Sequence, residues 1–529
     1  MEEINQKNDI DTRFSVPTIC VVLRDPLTRI EEQVAQKLAI PSLDYLKISK
    51  NTCHGDLWLS PQVSFEKNVV VDQQLIDYVK TDRIPYQIFL NRSFVINWLL
   101  PDIMQGDNHI LPWSSCLQIR PDHSWVRLVC VVQENFCGFS SQLRSLLQAS
   151  CAQSILLQAG VSVEFFIYMV PTDTCVPTTS HPPLYHTVLH RLAQDILQRA
   201  TAVYRQVSPP RFLFSLEKNE EDSNVVCYDA ERQVFRLSLL SKYLLPSWCY
   251  PLQDWYVPLG SYRYRVFCSL YHFLVHHPPD DNDNGGRGCL LLLFTDPPQS
   301  HTMHKCMQAA VASLYDVNSR DDPTQTISPR VVLEKVKWIH CGQVVTTSVH
   351  PEADNDDPNS PFLSAHVISS LWGGKATHPT RLDFLHPVEK WLYQYARIAT
   401  LRQKILLLQS SCPLPKTTTT TTTTTNDYQL DPIEWNIFYT SVATYYRILP
   451  SLCQDLMDTR YPNARFHLLT EWLAKTTSNF TQLYSQLRIV IKDQALCNSF
   501  YTRQRLVLAI YQQMKEIFRL LHIAPLETI

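Results

Sequence analysis

In the stretch GCLLLLFTDPPQSH, Asp296-Pro297-Pro298 follow an apolar strand. A carboxylate and two prolines in that setting can grip an amine for methylation when an aromatic follows to stack on the base. Here the next residue is Gln299, and no glycine-rich loop for S-adenosylmethionine precedes the strand. The competing reading is a strand that ends in a proline turn. His301 and His304 in HTMHK stand at helical spacing, but neither a third ligand nor a glutamate base lies beside them, so a zinc site is not expected. His276 and His277 precede PPDD and read as solvated loop residues. The chain has only 11 glycines, with no G-x-G-x-x-G and no G-x-x-x-x-G-K-[ST]. Loops that cradle phosphates need glycine for close backbone approach, so nucleotide chemistry starts at a disadvantage and no cofactor is expected.

The wider composition narrows the class. A chain of 529 residues is long enough for several domains with their own cores, and needs no disulfide or metal staple. The 16 cysteines are scattered without a C-x-x-C pair, which fits reduced thiols. The opening MEEINQKNDIDTRF has neither the pattern of a signal peptide nor that of a transit peptide, and no apolar run reaches the ~18 residues of a membrane span. The expectation is a soluble cytoplasmic protein with no membrane and no DNA partner. A net charge of −3 confines any nucleic-acid surface to a local patch.

Three regions position these residues. Residues 1–105 mix a helix, RIEEQVAQKLA, with short strands read in NVVVDQQLIDYV and YQIFLNRSFVINWLL, and form a small α+β domain. In residues 106–380 strands alternate with helices. WVRLVCVVQENFCGFSSQLRSLLQASCAQSILLQAGVSVEFFIYMV reads as strand, helix, a helix end at Gly160, and strand, one βαβ unit of a nucleotide-type fold. Residues 381–529 place large apolar residues at i, i+3, i+4 and i+7 in four segments, which predicts a helical bundle. The threonine tract Thr417–Thr425 lies in a predicted disordered loop, 413–428. The fold class is therefore α/β with an all-helical C-terminal bundle.

Within the bundle, YQYARIATL resembles the helix that opens the DALR anticodon-binding domain of arginyl-tRNA synthetases. Leu473-Ala474, Asn479-Phe480 and Tyr484 are similar to that domain's Leu-Ala…Phe-Asn-x-Phe-Tyr helix. RLLHIAPLETI resembles its Leu-Leu-Gly-Ile…Pro-Glu-Arg-Met ending, with Thr528-Ile529 in place of Arg-Met. Upstream, Gly55-Asp56 and the stretch containing Phe94, Ile96 and Asn97 resemble the synthetases' N-terminal additional domain, and the βαβ unit resembles the first half of the class I catalytic domain, including Leu143-Arg144-Ser145.

The resemblance also marks what is missing. An active enzyme would read His-x-Gly-His before that Leu-Arg, where imidazoles at a helix N-terminus stabilise charge on ATP phosphates. This chain reads FSSQ, with Phe139, Ser141 and Gln142 at the degenerate positions. The lysine loop should follow WIHCGQVV, yet no lysine lies between Trp338 and Gly374. The sequence is thus identified as resembling the DALR anticodon-binding domain-containing protein 3 family, catalytically degenerate paralogues of arginyl-tRNA synthetase. The resemblance implies a degenerate class I synthetase-like nucleotide fold, no enzyme activity, arginine tRNA as partner, and a methyltransferase-like protein partner that places 3-methylcytidine in the anticodon loop.

RNA contact favours aromatics beside cations, because a splayed base stacks while a guanidinium holds phosphate. The candidates are Tyr395 with Arg397, Tyr445 and Tyr446 with Arg447, and Asn479 and Tyr484 with Arg488, each of which has core or helix-rim packing as its alternative. Arg503 and Arg505 read equally well as a solvated face. Other functional readings are an active but diverged synthetase, an amine methyltransferase, and a protein-only scaffold.

Overall fold

The computed structural model describes residues 22–23, 25–49, 52–63, 74–82, 84–105, 109–118, 125–134, 140–171, 183–205, 207–208, 226–229, 234–237, 255–278, 289–295, 297–318, 332–333, 335–341, 344–346, 361–372, 380–382, 388–411, 431–458, 464–486 and 497–527. The threonine tract, Asp296, Phe139, Arg488 and Gly373-Gly374-Lys375 lie outside these residues.

Helix α1 (Pro26–Lys37) starts where Asp25 accepts hydrogen bonds from the Leu27 and Thr28 amides at 2.9 and 3.1 Å, with Pro26 preset for the first turn. Leu27, Ile30 and Val34 share one face and are buried. Strands β1 (Leu46–Ile48), β2 (Leu57–Leu59), β3 (Ile76–Lys80) and β4 (Tyr86–Leu90) form an antiparallel sheet of order β1-β2-β4-β3. The expected strand over YQIFLNRSFVINWLL is corrected here. It ends at Leu90, and helix α2 (Arg92–Ile103) follows, because the Asn91 side chain caps the Phe94 amide and Val95, Ile96, Leu99, Leu100 and Ile103 recur at helical spacing on the buried face.

The central sheet is parallel. It comprises β5 (Trp125–Gln133), β6 (Ser162–Val170), β7 (Ala202–Tyr204), β8 (Cys289–Thr295) and β9 (Val336–His340) in the order β9-β8-β5-β6-β7. Helices α3 (Ser140–Gln158) and α4 (Pro183–Arg199) make the crossovers on one side of β5, while α5 (Tyr262–His276) and α6 (Pro297–Asn318) serve the other. The strand direction of connection reverses between β5 and β8, which is the topological switch point. Alternation along β5 sorts the two faces: Val126, Leu128, Cys130 and Val132 join the core shared with α3, and Val129 and Val131 join a second core with α5 and α6. The predicted helix end at Gly160 is observed, with φ +81° and the Val161 amide reaching back to the Leu156 carbonyl at 3.0 Å.

After α7 (Pro361–Trp372) come the bundle helices: α8 (Val388–Ser411), α9 (Pro432–Ile437), a π-helical segment (Phe438–Ala443), α10 (Thr444–Met457), α11 (His467–Gln486) and α12 (Cys497–Leu520). The wide π turn leaves carbonyls for side chains: Trp472 Nε1 donates to Ser441 O at 3.0 Å and Gln513 Nε2 to Val442 O at 3.0 Å. One continuous core runs through the N-terminal sheet, the α3 face of the parallel sheet and the bundle. Trp372 Nε1 donates to Leu521 O at 2.9 Å across it. Lys337 of β9 donates to the Asp455 and Asp458 carbonyls at the end of α10, and burial lowers its pKa to about 8. Among the described residues, no helix is long and apolar enough to cross a membrane.

Candidate nucleic-acid interface and the nucleotide-fold end

In a doubly wound sheet, ligands bind outside the carboxyl ends of the strands at the switch point. In this chain that place is lined by Val131 and Val132 of β5, Gln142 and Ser145 of α3, and Phe294 and Thr295 of β8. The cavity among these described residues is about 10 Å³. Gln142 is buried, and its Oε1 accepts the Gln133 amide at 2.8 Å, so the side chain closes the end of β5. Arg144 is also buried, which lowers its pKa to about 10, and Gln148 Nε2 donates to Cys341 O at 3.4 Å. The first turns of α3 thus serve internal packing. Ser141 lies in α3, with its side chain outside the described residues.

The histidines singled out by the sequence separate, His304 inside the fold and His276 exposed at a helix end. His304 is buried with its ring 3.6 Å from that of Trp338, and His276 ends α5, rather than lying in a loop, with its ring 4.3 Å from His272. Among the described residues no cluster of His, Cys, Asp or Glu is arranged to hold a metal ion. Cys116, Cys268 and Cys453 are buried and in no disulfide, and burial raises their thiols to about 12.

The predicted RNA-contact residues separate into two groups. Tyr395 is 0% exposed, stacked on Tyr511 at 5.3 Å, with its hydroxyl donating to Glu527 at 3.1 Å. Tyr445 and Tyr446 are buried at right angles to one another, and Tyr446 donates to the Leu111 carbonyl at 2.9 Å. Asn479 is buried and donates to Thr440 Oγ1 at 2.8 Å and Ser441 Oγ at 3.2 Å. Arg447 reaches the N-terminal domain, pairing with Glu31 at 2.7 Å and Asp25 at 3.5 Å. Burial pushes the Glu31 carboxyl up, opposed by Arg447. These five positions have no ring face or free cation for a nucleic acid in this conformation, because Tyr395 and Asn479 are packed within the bundle, Tyr445 and Tyr446 are buried, and Arg447 is paired with Glu31.

The second group is at the surface. Arg397 lies over the Tyr484 ring at 3.8 Å and over the Tyr393 ring at 5.3 Å, joining α8 to α11. Tyr484 is 40% exposed and Tyr393 47% exposed. The QYAR stretch points to Tyr395, whereas the ring beside Arg397 on this helix is that of Tyr393. The signal was there: positions 393 and 397 are i and i+4 on one helical face, while 395 sits about 200° around the helix from 397. On α12, Arg505 lies over Tyr501 at 4.0 Å, whereas Arg503 turns inward to Glu434.

A parallel sheet of order β9-β8-β5-β6-β7, preceded by a small antiparallel sheet and followed by many helices, defines a mixed α/β protein. No family model and no curated protein sequence matches the chain. Solved structures do. The arginyl-tRNA synthetase of Thermus thermophilus is similar with a TM-score of 0.51 at 12% identity, over 95% of this chain and 99% of that one. The arginyl-tRNA synthetase of Plasmodium falciparum is similar with a TM-score of 0.51 at 11% identity, over 95% and 98%. The fold is arginyl-tRNA synthetase-like.

Proposed function

We propose that this chain is a non-catalytic tRNA-binding adaptor that recognises arginine tRNA through its anticodon stem-loop and supports 3-methylcytidine formation by a partner methyltransferase. The observation that carries the reading is a contrast within one molecule. At the switch point Gln142 turns inward to the end of β5, while the bundle presents Arg397 between two half-exposed tyrosines. A guanidinium flanked by rings offers charge to a phosphate and a stacking face to an unpaired base. Phosphate contacts would fix register and loop bases would supply selectivity. The arginyl-tRNA synthetase-like fold and the motif resemblances in the bundle supply arginine tRNA as the ligand class, and the partner enzyme rests on the family resemblance.

The test is retention of total tRNA by the purified full chain at physiological salt, with the retained species sequenced. Enrichment of a subset of arginine tRNAs, with affinity falling steeply as salt is added, is the expected outcome. A retained profile equal to the input, or aminoacylation or methylation of tRNA by the chain alone, overturns the reading.

A further inference from the structure

Two histidines that the tRNA reading does not use stand together near the end of α5. His272 and His276 are one helical turn apart, at i and i+4, and their rings lie 4.3 Å centroid to centroid with planes at 51°. His276 is exposed and His272 half-buried, so the pair opens to solvent. Helix α5 shares the second core with α6, on the sheet face turned away from the bundle. Beneath His272 lies a bed of rings from the sheet: Tyr204 at 5.1 Å and Tyr168 at 6.0 Å, themselves stacked at 4.8 Å. The Tyr168 hydroxyl is 3.3 Å from His272 Nδ1, which holds the ring and assigns Nε2 as the nitrogen turned to a ligand. Burial, then His276 and His277, lower the His272 pKa from 6.5, so its imidazole keeps a lone pair at neutral pH. His276 ends the helix, where the negative end of the dipole favours a cation.

The spacing of the rings selects a coordination geometry. With metal-nitrogen bonds of about 2.0 Å and a ring centre about 1.1 Å behind the nitrogen, two imidazoles at a right angle on one ion have centroids about 4.5 Å apart, and at the tetrahedral angle about 5.1 Å. The observed 4.3 Å fits the right angle, the cis arrangement of a tetragonal ion. His277, the next residue, turns its ring to Phe166 at 4.3 Å instead. Among the described residues no third His, Cys, Asp or Glu joins the pair, so water completes the shell. We propose that His272 and His276 bind one divalent transition-metal ion of tetragonal preference, Cu(II) or Ni(II), in cis positions through His272 Nε2 and a ring nitrogen of His276. The inference stands apart from the tRNA reading.

The experiment is calorimetric titration of the metal-free full-length protein with Cu(II), Ni(II) and Zn(II) at neutral pH, with electron paramagnetic resonance of the Cu(II) complex. One equivalent of Cu(II) is expected in the tightest class, with an axial spectrum split by nitrogen and an affinity at least about tenfold above that for Zn(II). His272→Gln and His276→Gln should each weaken that class at least about tenfold. His276 is exposed, so its replacement leaves the core intact and decides the question even where His272→Gln fails to fold. His190→Gln, an exposed change on α4, should leave the class unchanged. Absence of a tight equivalent of Cu(II), equal affinity for Zn(II), an unchanged tight class in His276→Gln, or its loss in His190→Gln overturns the inference. Retention of tRNA by His276→Gln reports separately on the bundle.

Discussion

The indole Nε1 of Trp435 donates to Asp56 Oδ1 at 2.8 Å, so a bundle residue is hydrogen-bonded to a carboxylate in the N-terminal sheet 379 positions away in the chain. Asp56 is 0% exposed, and its other partners complete the shell: the Leu90 amide at 2.9 Å, Arg92 at 3.1 Å, and Tyr439, whose hydroxyl donates to the Asp56 carbonyl at 2.6 Å. Burial pushes this carboxyl up from its ordinary value even with Arg92 beside it. Gly55 supplies the preceding turn at φ +97°, where a Cβ would meet Gln87 at 3.1 Å. The Gly-Asp pair is therefore the joint between domain and bundle.

Asp56→Ala should lower stability by about 3–5 kcal/mol, because the Arg92 charge, the Leu90 amide and the Trp435 indole lose their acceptor in the interior. Asp56→Asn should cost less, since a carbonyl oxygen remains for Trp435. Thermal unfolding with intrinsic tryptophan fluorescence measures both, and an Asp56→Ala variant as stable as the parent would refute the joint.

Tyr484→Ala should weaken tRNA binding roughly 10- to 100-fold, the value of one stacked base, and Arg397→Ala should reduce both affinity and the steepness of its salt dependence. Tyr446→Phe should leave tRNA affinity unchanged and cost about 1 kcal/mol of stability, through the lost bond to the Leu111 carbonyl. Filter binding and unfolding curves on the same preparations separate the two effects.

His522 follows the last helix in the left-handed region at φ 59°, in the position where the resembled family ending carries glycine. Burial, then Arg199 and Arg519, lower its pKa to about 4 from 6.5. The unfolded chain takes up this proton first on acidification, so the stability is fully present above about pH 6.5 and is lost as pH falls towards 4. His522→Asn, which tolerates the backbone conformation and does not titrate, should flatten that part of the melting temperature against pH profile.

Gln142→Ala should destabilise by about 1–3 kcal/mol, because the Gln133 amide loses its acceptor beneath the sheet end. Retention of tRNA should be unaffected. A variant with parental stability would mean that the closure at the switch point is not maintained by this side chain.

Local pattern determined much of this protein. Apolar spacing drew the four long helical segments of the bundle, strand alternation and Gly160 drew the βαβ unit, and both are properties of neighbours a few residues apart. The same reasoning failed at RSFVINWLL, where a cap at Asn91 decided for helix in a run equally rich in β-formers. What periodicity cannot say is which face of an aromatic-rich helix another segment will cover. Tyr393 and Tyr395 differ by two positions, and only the docking of α12 buries one against Tyr511 and leaves the other beside Arg397. Likewise Arg447 reads as a free cation until α1 arrives with Glu31. The physical reason is common to both: burial free energy is settled by contacts between segments far apart in the chain, and the chain order carries no record of that proximity.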